Sequence, residues 1–401
     1  MVSILSFTKH ALNTLAFALL AQGIVIPDGL EKRDGAGVIA LDFNVVRDPL
    51  NTNLAQFIDG DLAKRKNTPL TLQNRKTYYS ANIGIGSNKQ PQTVILDTGS
   101  SDLWVVDVNA QCQDDIDCKD NGTFDPKTST TYQSLGTQFS IVYGDETSSQ
   151  GPWAKDTVSF GGISITGQQF ADVNSTSSDV AVMGIGFKSG ESVESGENYD
   201  NIPITLKKQG FIKSTAYSLY LNSPDAATGQ IIFGGVDNAK YSGSLVPESI
   251  TAPDRLIIKL DTIDYAGTSY NYSDGALLDS GTTLSFIRPD IASQIARHAE
   301  AFWVITDSSG DGQYFINCNA PVSGNVVYTF GKGAKITVPL SEFIFPAGNG
   351  LCVWGIQPSG DDFAILGDNF LRHAYLLYNL DANTISIAPV KFTSDSDIVS
   401  V

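Results

Sequence analysis

The feature that most constrains this chain is a short segment that occurs twice. Residues 94–100 read Val-Ile-Leu-Asp-Thr-Gly-Ser, and residues 276–282 read Ala-Leu-Leu-Asp-Ser-Gly-Thr. Each copy is followed by a second shared triplet, Val-Met-Gly at 182–184 and Ile-Leu-Gly at 365–367. We expect each apolar triplet to form a buried strand beside the aspartate loop of its own half. The simplest fold with this repeat has two similar β lobes, each of which contributes one aspartate loop.

The two aspartates of the repeat, Asp97 and Asp279, are the candidate catalytic residues. A glycine in each copy allows a close backbone approach, and the neighbouring N–H and hydroxyl groups are placed to hold the carboxylate. The residues that supply these groups are Thr98, Gly99, Ser100, Ser280, Gly281 and Thr282. Two adjacent carboxylates do not both ionise readily, so they share one proton. The ionised oxygen then acts as a base toward water, while the protonated oxygen donates to a substrate carbonyl. The alternative is a pair of turn aspartates that only cap backbone N–H groups.

The sequence gives little support to a metal-dependent site or a serine triad. The histidines are His10, His298 and His373, which do not make a histidine-rich metal site. We interpret His298 as a packed, hydrogen-bonded residue, because it shares an apolar stripe from Ile291 to Phe302 on a predicted helix. No Gly-x-Ser-x-Gly elbow lies on a strand-to-helix turn, although counting residues does not exclude a serine triad. No pattern predicts a metal site or a cofactor.

The four cysteines allow three pairings. Their spacing is not that of a CxxC zinc site and no histidine lies near them, so disulfides are expected. We expect pairs between cysteines that are close in sequence, namely Cys112 with Cys118 and Cys318 with Cys352. Asn-x-Ser/Thr sequons are candidate glycosylation sites, and they occur at Asn121, Asn174 and Asn271.

The N-terminus has the pattern of an exported precursor. Lys9 and His10 precede an apolar run at residues 11–21 that has small residues near its end. This pattern predicts a signal peptide over residues 1–21 rather than a membrane span. The C-terminal tail carries no hydrophobic anchor signal, so we expect a secreted, extracellular protein without a membrane anchor.

Two dibasic pairs follow, Lys32-Arg33 and Lys64-Arg65. The second pair lies in a polar, turn-like stretch just before the first strand-like segment. We therefore expect a propeptide over residues 22–65, which a convertase releases by cutting after Arg65. The alternative is an ordinary solvated pair of charges.

Composition favours a sheet-rich globular enzyme. The formal net charge is -17 and the sequence pI is about 4.4, so nucleic acids and anionic membranes are poor partners. Hydrophobic residues make up 42% and charged residues 17% of the 401 residues, which fits a globular chain with substantial cores. Strand-like or hairpin-like composition is found at residues 77–85, 92–96, 217–221 and 229–235, and helical patterns at 202–208 and from Pro289 onward. The predicted fold class is mostly β.

With these motifs, the chain resembles the pepsin-like aspartic proteases, in particular the secreted yeast enzymes called candidapepsins. The resemblance runs from about Tyr78 to Val390, nearly the whole predicted mature chain. The matching segments are residues 94–104, Tyr143-Gly-Asp145, and residues 229–237, 278–283 and 365–370. A carboxylate pair that shares one proton is the established dyad of aspartic proteases and is not particular to this chain.

The resemblance implies a bilobal fold of two β-barrel-like lobes with a central cleft that binds an extended peptide. The N-terminal lobe is expected over residues 66–250 and the C-terminal lobe over residues 251–401. Ser100 and Thr282 would hydrogen-bond the outer oxygens of the two catalytic carboxylates. The implied partners of the protein, which we expect to be a monomer, are protein and peptide substrates and pepstatin-type inhibitors.

The resemblance also implies a β-hairpin flap over the cleft. Tyr143 would lie in this flap with its hydroxyl near Trp104; the alternative is an ordinary strand aromatic in a hairpin. The flap tip of the family usually reads Tyr-Gly-Asp-Gly-Ser/Thr, whereas Glu146 replaces the second glycine here. Because glycine adopts positive φ easily, Glu146 either costs on the order of 1 kcal/mol or shifts the turn type.

Substrate preference is partly implied as well. A mostly apolar cleft favours bulky hydrophobic residues on both sides of the cut. Gly144 and Asp145 of the flap, together with Asp179, would lie near the pocket that precedes the scissile bond. With Glu146, these carboxylates would also admit Lys or Arg there.

Two other functions remain as alternatives to an acid endopeptidase. Silent relatives that bind or inhibit other proteins usually lose a dyad aspartate or the flap tyrosine, whereas this chain keeps all three. A surface-anchored processing protease with narrow basic specificity would carry a C-terminal anchor, which the sequence does not predict.

Overall fold

The computed structural model describes residues 37–47, 77–113, 116–193, 198–306, 312–348 and 350–401. The predicted signal peptide, both dibasic pairs and the predicted cut after Arg65 lie outside these residues. In the part of the chain that is described, no helix is both long and apolar enough to cross a membrane.

Strands dominate the described residues, which confirms the mostly β fold class. The strands up to residue 250 are β1 (Ile39–Arg47), β2 (Thr77–Ile85), β3 (Gln90–Asp97), β4 (Leu103–Cys112), β5 (Gln133–Val142), β6 (Ser148–Phe160), β7 (Ile163–Thr176), β8 (Ala181–Gly184), β9 (Ala216–Tyr220), β10 (Thr228–Phe233), β11 (Gly235–Asp237) and β12 (Val246–Ser249). The later strands are β13 (Ile257–Tyr265), β14 (Thr268–Leu278), β15 (Ser285–Ile287), β16 (Phe302–Ile305), β17 (Gly312–Asn317), β18 (Asn325–Phe330), β19 (Lys335–Pro339), β20 (Ile344–Gly348), β21 (Leu351–Trp354), β22 (Ile356–Pro358), β23 (Ala364–Leu366), β24 (Ala374–Asn379), β25 (Thr384–Pro389) and β26 (Ile398–Ser400). The described helices are α1 (Ile202–Lys208), α2 (Pro289–His298) and α3 (Asp368–Leu371), with 3-10 turns at Pro126–Thr128, Lys188–Gly190, Asn238–Lys240 and Leu340–Phe343.

The larger sheets separate into two groups, which together make a bilobal β fold. The described strands of the first half, except β11, which pairs with β26, lie in a thirteen-stranded sheet with the order β12-β25-β24-β9-β10-β1-β2-β3-β8-β4-β7-β6-β5. Strands of the second half form a seven-stranded sheet, β19-β18-β13-β14-β23-β15-β22, and a four-stranded sheet, β16-β17-β21-β20. β24 and β25 belong to the second half of the sequence but pair within the thirteen-stranded sheet, so backbone pairing links the two halves.

The repeated aspartate segments occupy equivalent positions in the two groups. β3 pairs in parallel with β8, with Asp97 opposite Gly184, and β14 pairs in parallel with β23, with Leu278 opposite Leu366. All four residues of β8 are buried. The prediction that each apolar triplet lies beside the aspartate loop of its own half is therefore confirmed. Each aspartate lies at the carboxyl end of a strand with a neighbour on both sides, which restricts its movement.

β1 lies within the predicted propeptide, and in the structure it is an inner strand of the thirteen-stranded sheet. It pairs with β10, from Ile39 opposite Phe233 onward, and with β2 on its other side. Alternate residues point into the core, and Phe43 packs edge-on against the ring of Tyr79 with centroids 5.2 Å apart. A large part of the sheet's order thus depends on a segment that is expected to be removed.

The helix that begins at Pro289 differs from its predicted pattern at its C-terminal end. His298 is exposed, with its ring 5.9 Å from that of Tyr265, so the interpretation of a packed histidine is wrong. Phe302 lies in β16 instead of on the helix. The buried face consists of Ile291, Ala292, Ile295, Ala296 and Ala299. This face is centred away from His298, which therefore lies at its margin.

Candidate active site

Asp97 ends β3 in a tight loop that supplies its own hydrogen-bond donors. The N–H of Gly99 donates to Oδ1 of Asp97 at 2.7 Å, and the hydroxyl of Ser100 donates to Oδ2 at 2.5 Å. The residue is only 6% exposed, so these two donors largely determine how the carboxylate is oriented.

Asp279 lies in a loop of the same design directly after β14. The N–H of Gly281 donates to Oδ1 at 2.8 Å, and the hydroxyl of Thr282 donates to Oδ2 at 2.6 Å. Asp279 is 8% exposed. The repeat in the sequence is therefore also a repeat in geometry, with one N–H and one hydroxyl donor on each carboxylate.

The residues that follow the aspartates bond the two loops to each other. The hydroxyl of Thr98 donates to the carbonyl of Leu278, and the hydroxyl of Ser280 donates to the carbonyl of Leu96, both at 2.8 Å. The N–H of Ser280 donates to Oγ1 of Thr98 at 2.9 Å, and the N–H of Thr98 donates to Oγ of Ser280 at 3.2 Å. Because every bond crosses between the halves, this network fixes the position of one carboxylate relative to the other.

The glycines of the two loops bring each backbone against the opposite carboxylate. A Cβ atom built on Gly99 would lie 2.6 Å from Oδ1 of Asp279, and one built on Gly281 would lie 2.6 Å from Oδ1 of Asp97. Both distances are far shorter than a non-bonded contact, so only glycine fits at these positions. The structure therefore brings the two carboxylates together across the interface of the halves.

Proximity and burial change the proton affinity of the pair. Burial raises the pKa of Asp279 well above its usual range, and the neighbouring Asp97 carboxylate raises it further. The Thr282 hydroxyl and the Gly281 N–H act in the opposite direction. Two like charges this close favour a state in which one proton stays on the pair at acidic pH.

Tyr143 lies at the start of the loop that joins β5 to β6. Its hydroxyl oxygen accepts a hydrogen bond from Nε1 of the buried Trp104 at 2.7 Å. The N–H of Glu146 donates to the Tyr143 carbonyl at 3.0 Å, and the Tyr143 N–H donates to the carbonyl of Thr147 at 2.8 Å. Glu146 itself has a φ of 66°. This is a three-residue hairpin loop whose last position takes the left-handed conformation, so Glu146 adopts the conformation that glycine favours instead of shifting the turn.

Known proteins share the part of the chain that contains both aspartate loops and the flap. The model of the eukaryotic aspartyl protease family matches residues 78–390. The chain belongs to this family. Similar proteins include candidapepsin of Candida tropicalis, which is 50% identical over 99% of this chain and 99% of its own length, and secreted aspartic protease 8 of Candida albicans, with the same three values. Candidapepsin-2 of Candida parapsilosis is 49% identical over 96% of this chain and 92% of its own length. The resemblance seen in the sequence is confirmed, and the chain is an aspartic endopeptidase that acts on proteins or peptides.

Acidic residues near the flap of this aspartic protease have partners of their own. Oδ1 of Asp145 accepts hydrogen bonds from the N–H and the hydroxyl of Thr147, at 3.1 and 2.6 Å. The backbone carbonyl of Asp179 accepts from the side-chain amide of Asn121 at 3.1 Å. Gly144 faces open space. One oxygen of Asp145 therefore stabilises the flap tip, and the expected contact of Asp145 and Asp179 with substrate stays a prediction.

Asp368 is a residue near the protease's carboxylate pair that sequence reasoning missed. It is buried directly behind the Asp279 loop, where its N–H donates to the carbonyl of Thr282 at 2.8 Å. Burial raises the pKa of Asp368, Arg372 opposes this, and Asp279 adds to it. Arg372 in turn donates from Nε to the hydroxyl of Tyr79 at 3.0 Å. Asp368 belongs to a segment that matches the family, but nothing in the sequence marked it as a neighbour of Asp279.

The structure contains both expected disulfides of the protease. They join Cys112 to Cys118 and Cys318 to Cys352, with Cα–Cα distances of 5.5 and 5.1 Å. Of the three candidate glycosylation sites, Asn174 and Asn271 are exposed, whereas Asn121 is half-buried. Glycan occupancy at these sites stays a prediction.

Proposed function

We propose that Asp97 and Asp279 together activate the water molecule that cleaves the peptide bond. The observation that supports this is the crossed arrangement of the two loops, in which each glycine lies against the opposite carboxylate. The ionised carboxylate takes a proton from water, the water oxygen bonds to the carbonyl carbon, and the other carboxyl donates its proton to the carbonyl oxygen. The carboxyl that took the water proton then gives it to the amine nitrogen as the C–N bond breaks, and the other carboxylate takes a proton from a hydroxyl of the tetrahedral intermediate. The carboxylic acid and amine products leave, the pair regains its starting charge, and no covalent bond forms between the enzyme and the substrate.

We propose that the flap closes over an extended substrate. Tyr143 is held by its bond from Trp104, so its ring is oriented before any substrate enters. Gly144 and Asp145 lie at the tip beyond it and are placed to contact the substrate backbone. A bulky hydrophobic residue on each side of the cut is the preferred substrate, and Asp145, Asp179 and Glu146 extend this preference to Lys or Arg before the cut.

Secretion and processing as a zymogen form part of the proposal. The apolar run at residues 11–21 and the name of the Candida albicans relative, a secreted aspartic protease, support export. A convertase cut after Arg65 would leave β1 paired with β10 and β2, because strand pairing holds it independently of the peptide bond at the cut. Release of the propeptide would therefore need these pairs to separate as well.

The carboxylate assignment is tested with the full chain expressed in a secreting host. The purified product is assayed on a denatured protein at about pH 4, with and without a pepstatin-type inhibitor, and its N-terminus is sequenced. Asp279→Asn should abolish cleavage while the circular dichroism spectrum stays the same. Asp120→Asn, which changes an exposed aspartate, serves as the matched control and should keep full activity. Full activity in Asp279→Asn would exclude the mechanism and point to a different catalytic site, whereas no cleavage by the unmodified protein would point to a binding protein.

A further inference from the structure

A segment that packs directly behind the Asp97 loop is attached to it through one buried acid, Asp102, and contains a second buried acid, Glu191. The segment comprises residues 187–193 and 198–201 and is called the buttress here. The residue just before it, Gly186, donates its N–H to the carbonyl of Ser100 at 2.8 Å. A Cβ atom built on Gly190 of the buttress would lie 2.9 Å from Oγ of Ser101. The buttress therefore contacts the residues that follow the catalytic aspartate with no spare room.

Asp102 makes the attachment to the Asp97 loop, and Glu191 bonds to Tyr199 within the buttress itself. Oδ2 of Asp102 accepts from the N–H of Ser192 at 2.9 Å, and Oδ1 accepts from the hydroxyl of Tyr199 at 2.8 Å. Oε2 of Glu191 accepts from the N–H of Tyr199 at 2.8 Å. Tyr199 thus joins both acids, and its ring packs edge-on against Trp153 with centroids 5.2 Å apart. Ser192 and Tyr199 of the buttress therefore both donate to the carboxylate of Asp102.

The charged groups around the two acids do not neutralise them. Lys188 pairs with Asp200 at 3.0 Å, and Lys208 pairs with the same carboxylate. Among the described residues, neither Asp102 nor Glu191 has a cation within ion-pair distance. The other side of the buttress contacts the chain at Asp254, whose carbonyl would lie 2.6 Å from a Cβ on Gly190. Two buried carboxyl groups without a counter-ion are stable together only when charge is kept low, because a buried unpaired charge is costly.

The pKa values of both acids agree with this geometry. Burial raises the pKa of Glu191 to about 8, and Asp102 adds to the effect, while the Tyr199 N–H and Lys188 oppose it. Burial also raises the pKa of Asp102, against its bonds from Ser192 and Tyr199. In the unfolded chain both acids ionise at about pH 4. The stabilisation that Glu191 contributes is therefore fully present below about pH 4 and is lost as the pH rises toward about 8.

We infer that Glu191 is a positioning residue, which holds the catalytic Asp97 loop through Tyr199 and Asp102 while it is uncharged and releases the loop as it ionises beside Asp102. This inference rests on the proposed role of Asp97. It goes beyond that role by predicting where the protease first opens at neutral pH. The acids do not contact the reacting atoms. They act through the backbone of residues 100–102.

The test is the variant Glu191→Gln, which keeps the acceptor for the Tyr199 N–H but cannot ionise. The full-length protease is incubated across about pH 5 to pH 8 and then assayed at about pH 4. The variant should retain kcat/KM at acidic pH, and its midpoint of inactivation should move upward by about one pH unit. At about pH 7, hydrogen exchange of the Ser192 and Tyr199 amides should be about tenfold slower than in the unmodified protein. An unchanged midpoint together with unchanged exchange would overturn the inference.

A matched control separates this local effect from general stabilisation. Asp172→Asn removes another buried acid, whose carboxylate contacts Tyr132 rather than the buttress. It should leave exchange of the Ser192 and Tyr199 amides unchanged; equal slowing in both variants would overturn the inference. If Glu191→Gln does not fold, the unmodified protein supplies the answer, because its buttress amides should lose protection at a lower pH than those of β25. Loss of protection in both regions at the same pH would contradict the inference. Cleavage by Asp279→Asn would overturn the proposed function but would not change these exchange results.

Discussion

Thr98 and Ser280 exchange hydrogen bonds across the interface of the two halves, with each backbone N–H donating to the hydroxyl oxygen of the other residue, at 3.2 and 2.9 Å. The two residues stand at the same position in the two copies of the repeat. Each hydroxyl also donates to a carbonyl in the opposite half. The separation of the catalytic carboxylates therefore depends on bonds that neither half can make alone.

Removal of one of these hydroxyls should cost both stability and turnover. Thr98→Ala leaves the buried N–H of Ser280 without its partner and removes one of the two hydrogen bonds to the carbonyl of Leu278, so the free energy of unfolding should fall by about 1–3 kcal/mol. The rate constant kcat should fall as well, since the carboxylates lose their fixed separation. Urea denaturation and steady-state kinetics at acidic pH measure the two effects. Thr98→Ser keeps the hydroxyl, so its free energy of unfolding and its kcat should stay close to those of the unmodified protein. Equal losses in both variants would show that the methyl group of Thr98, and not its hydrogen bonds, is responsible.

A single methyl group at the crossing of the loops should stop catalysis. Gly99→Ala would place Cβ 2.6 Å from Oδ1 of Asp279, so the carboxylate must move. Displacements of about 1 Å at reacting groups lower rates by about 100-fold, and we expect kcat/KM to fall at least that far. Gly360→Ala, at an exposed glycine with no atom within 4 Å of the added Cβ, is the matched control and should have normal kinetics. Normal activity in Gly99→Ala would show that the two loops are not as close in solution.

Glycine at position 146 should stabilise the flap. Glu146 has a φ of 66°, a conformation that costs a non-glycine residue about 1 kcal/mol. Glu146→Gly should therefore slow hydrogen exchange of the Tyr143 and Thr147 amides, both of which are in the hairpin loop. Glu146→Gln removes the charge but keeps the strained conformation, so it should leave exchange unchanged. Slower exchange in the glutamine variant would instead point to charge repulsion within the flap.

The stability of the protease should fall as the pH rises from acid to neutral, in part because of Asp172. Burial raises the pKa of Asp172 to about 7, and Asp107 adds to this, against a bond from Tyr132. Because the group ionises at about pH 4 when unfolded, its contribution is present below that pH and is lost as the pH rises to about 7. Asp172→Asn should therefore lose on the order of 1–2 kcal/mol less stability over this range than the unmodified protein. Denaturation at both pH values measures this difference, and the exposed Asp120→Asn should show none.

The chemistry of the candidate site was accessible from the sequence because it is duplicated along the chain. Two like motifs with like neighbours predict two like loops, and the structure contains them with equivalent donors. The disulfides followed from spacing in the same way. The exposure of His298 did not follow from the sequence, because the direction of a helix's buried face depends on what packs against it. The pattern of apolar residues was compatible with a buried helix face that includes His298, but the tertiary contacts bury a different face.

Residues that act through long-range contacts could not be predicted. The bond between Tyr199 and Asp102 joins residues 97 positions apart, and that between Arg372 and Tyr79 joins residues 293 positions apart. Asp102 follows the Asp97 loop, and Asp368 lies in a segment that matches the family. Nothing in the local sequence around either residue indicates that it is buried. Their raised pKa values arise from the removal of water, which depends on the whole fold.

The sequence by itself determined the type of fold, the family and the two aspartate loops, because local motifs and strand patterns specify these over a few residues each. The tertiary structure alone decided how far apart the carboxylates lie, which other acids are buried behind them, and that β1 of the predicted propeptide pairs inside the central sheet. These properties depend on distances between atoms that are remote in the chain, and only the packed molecule determines those distances.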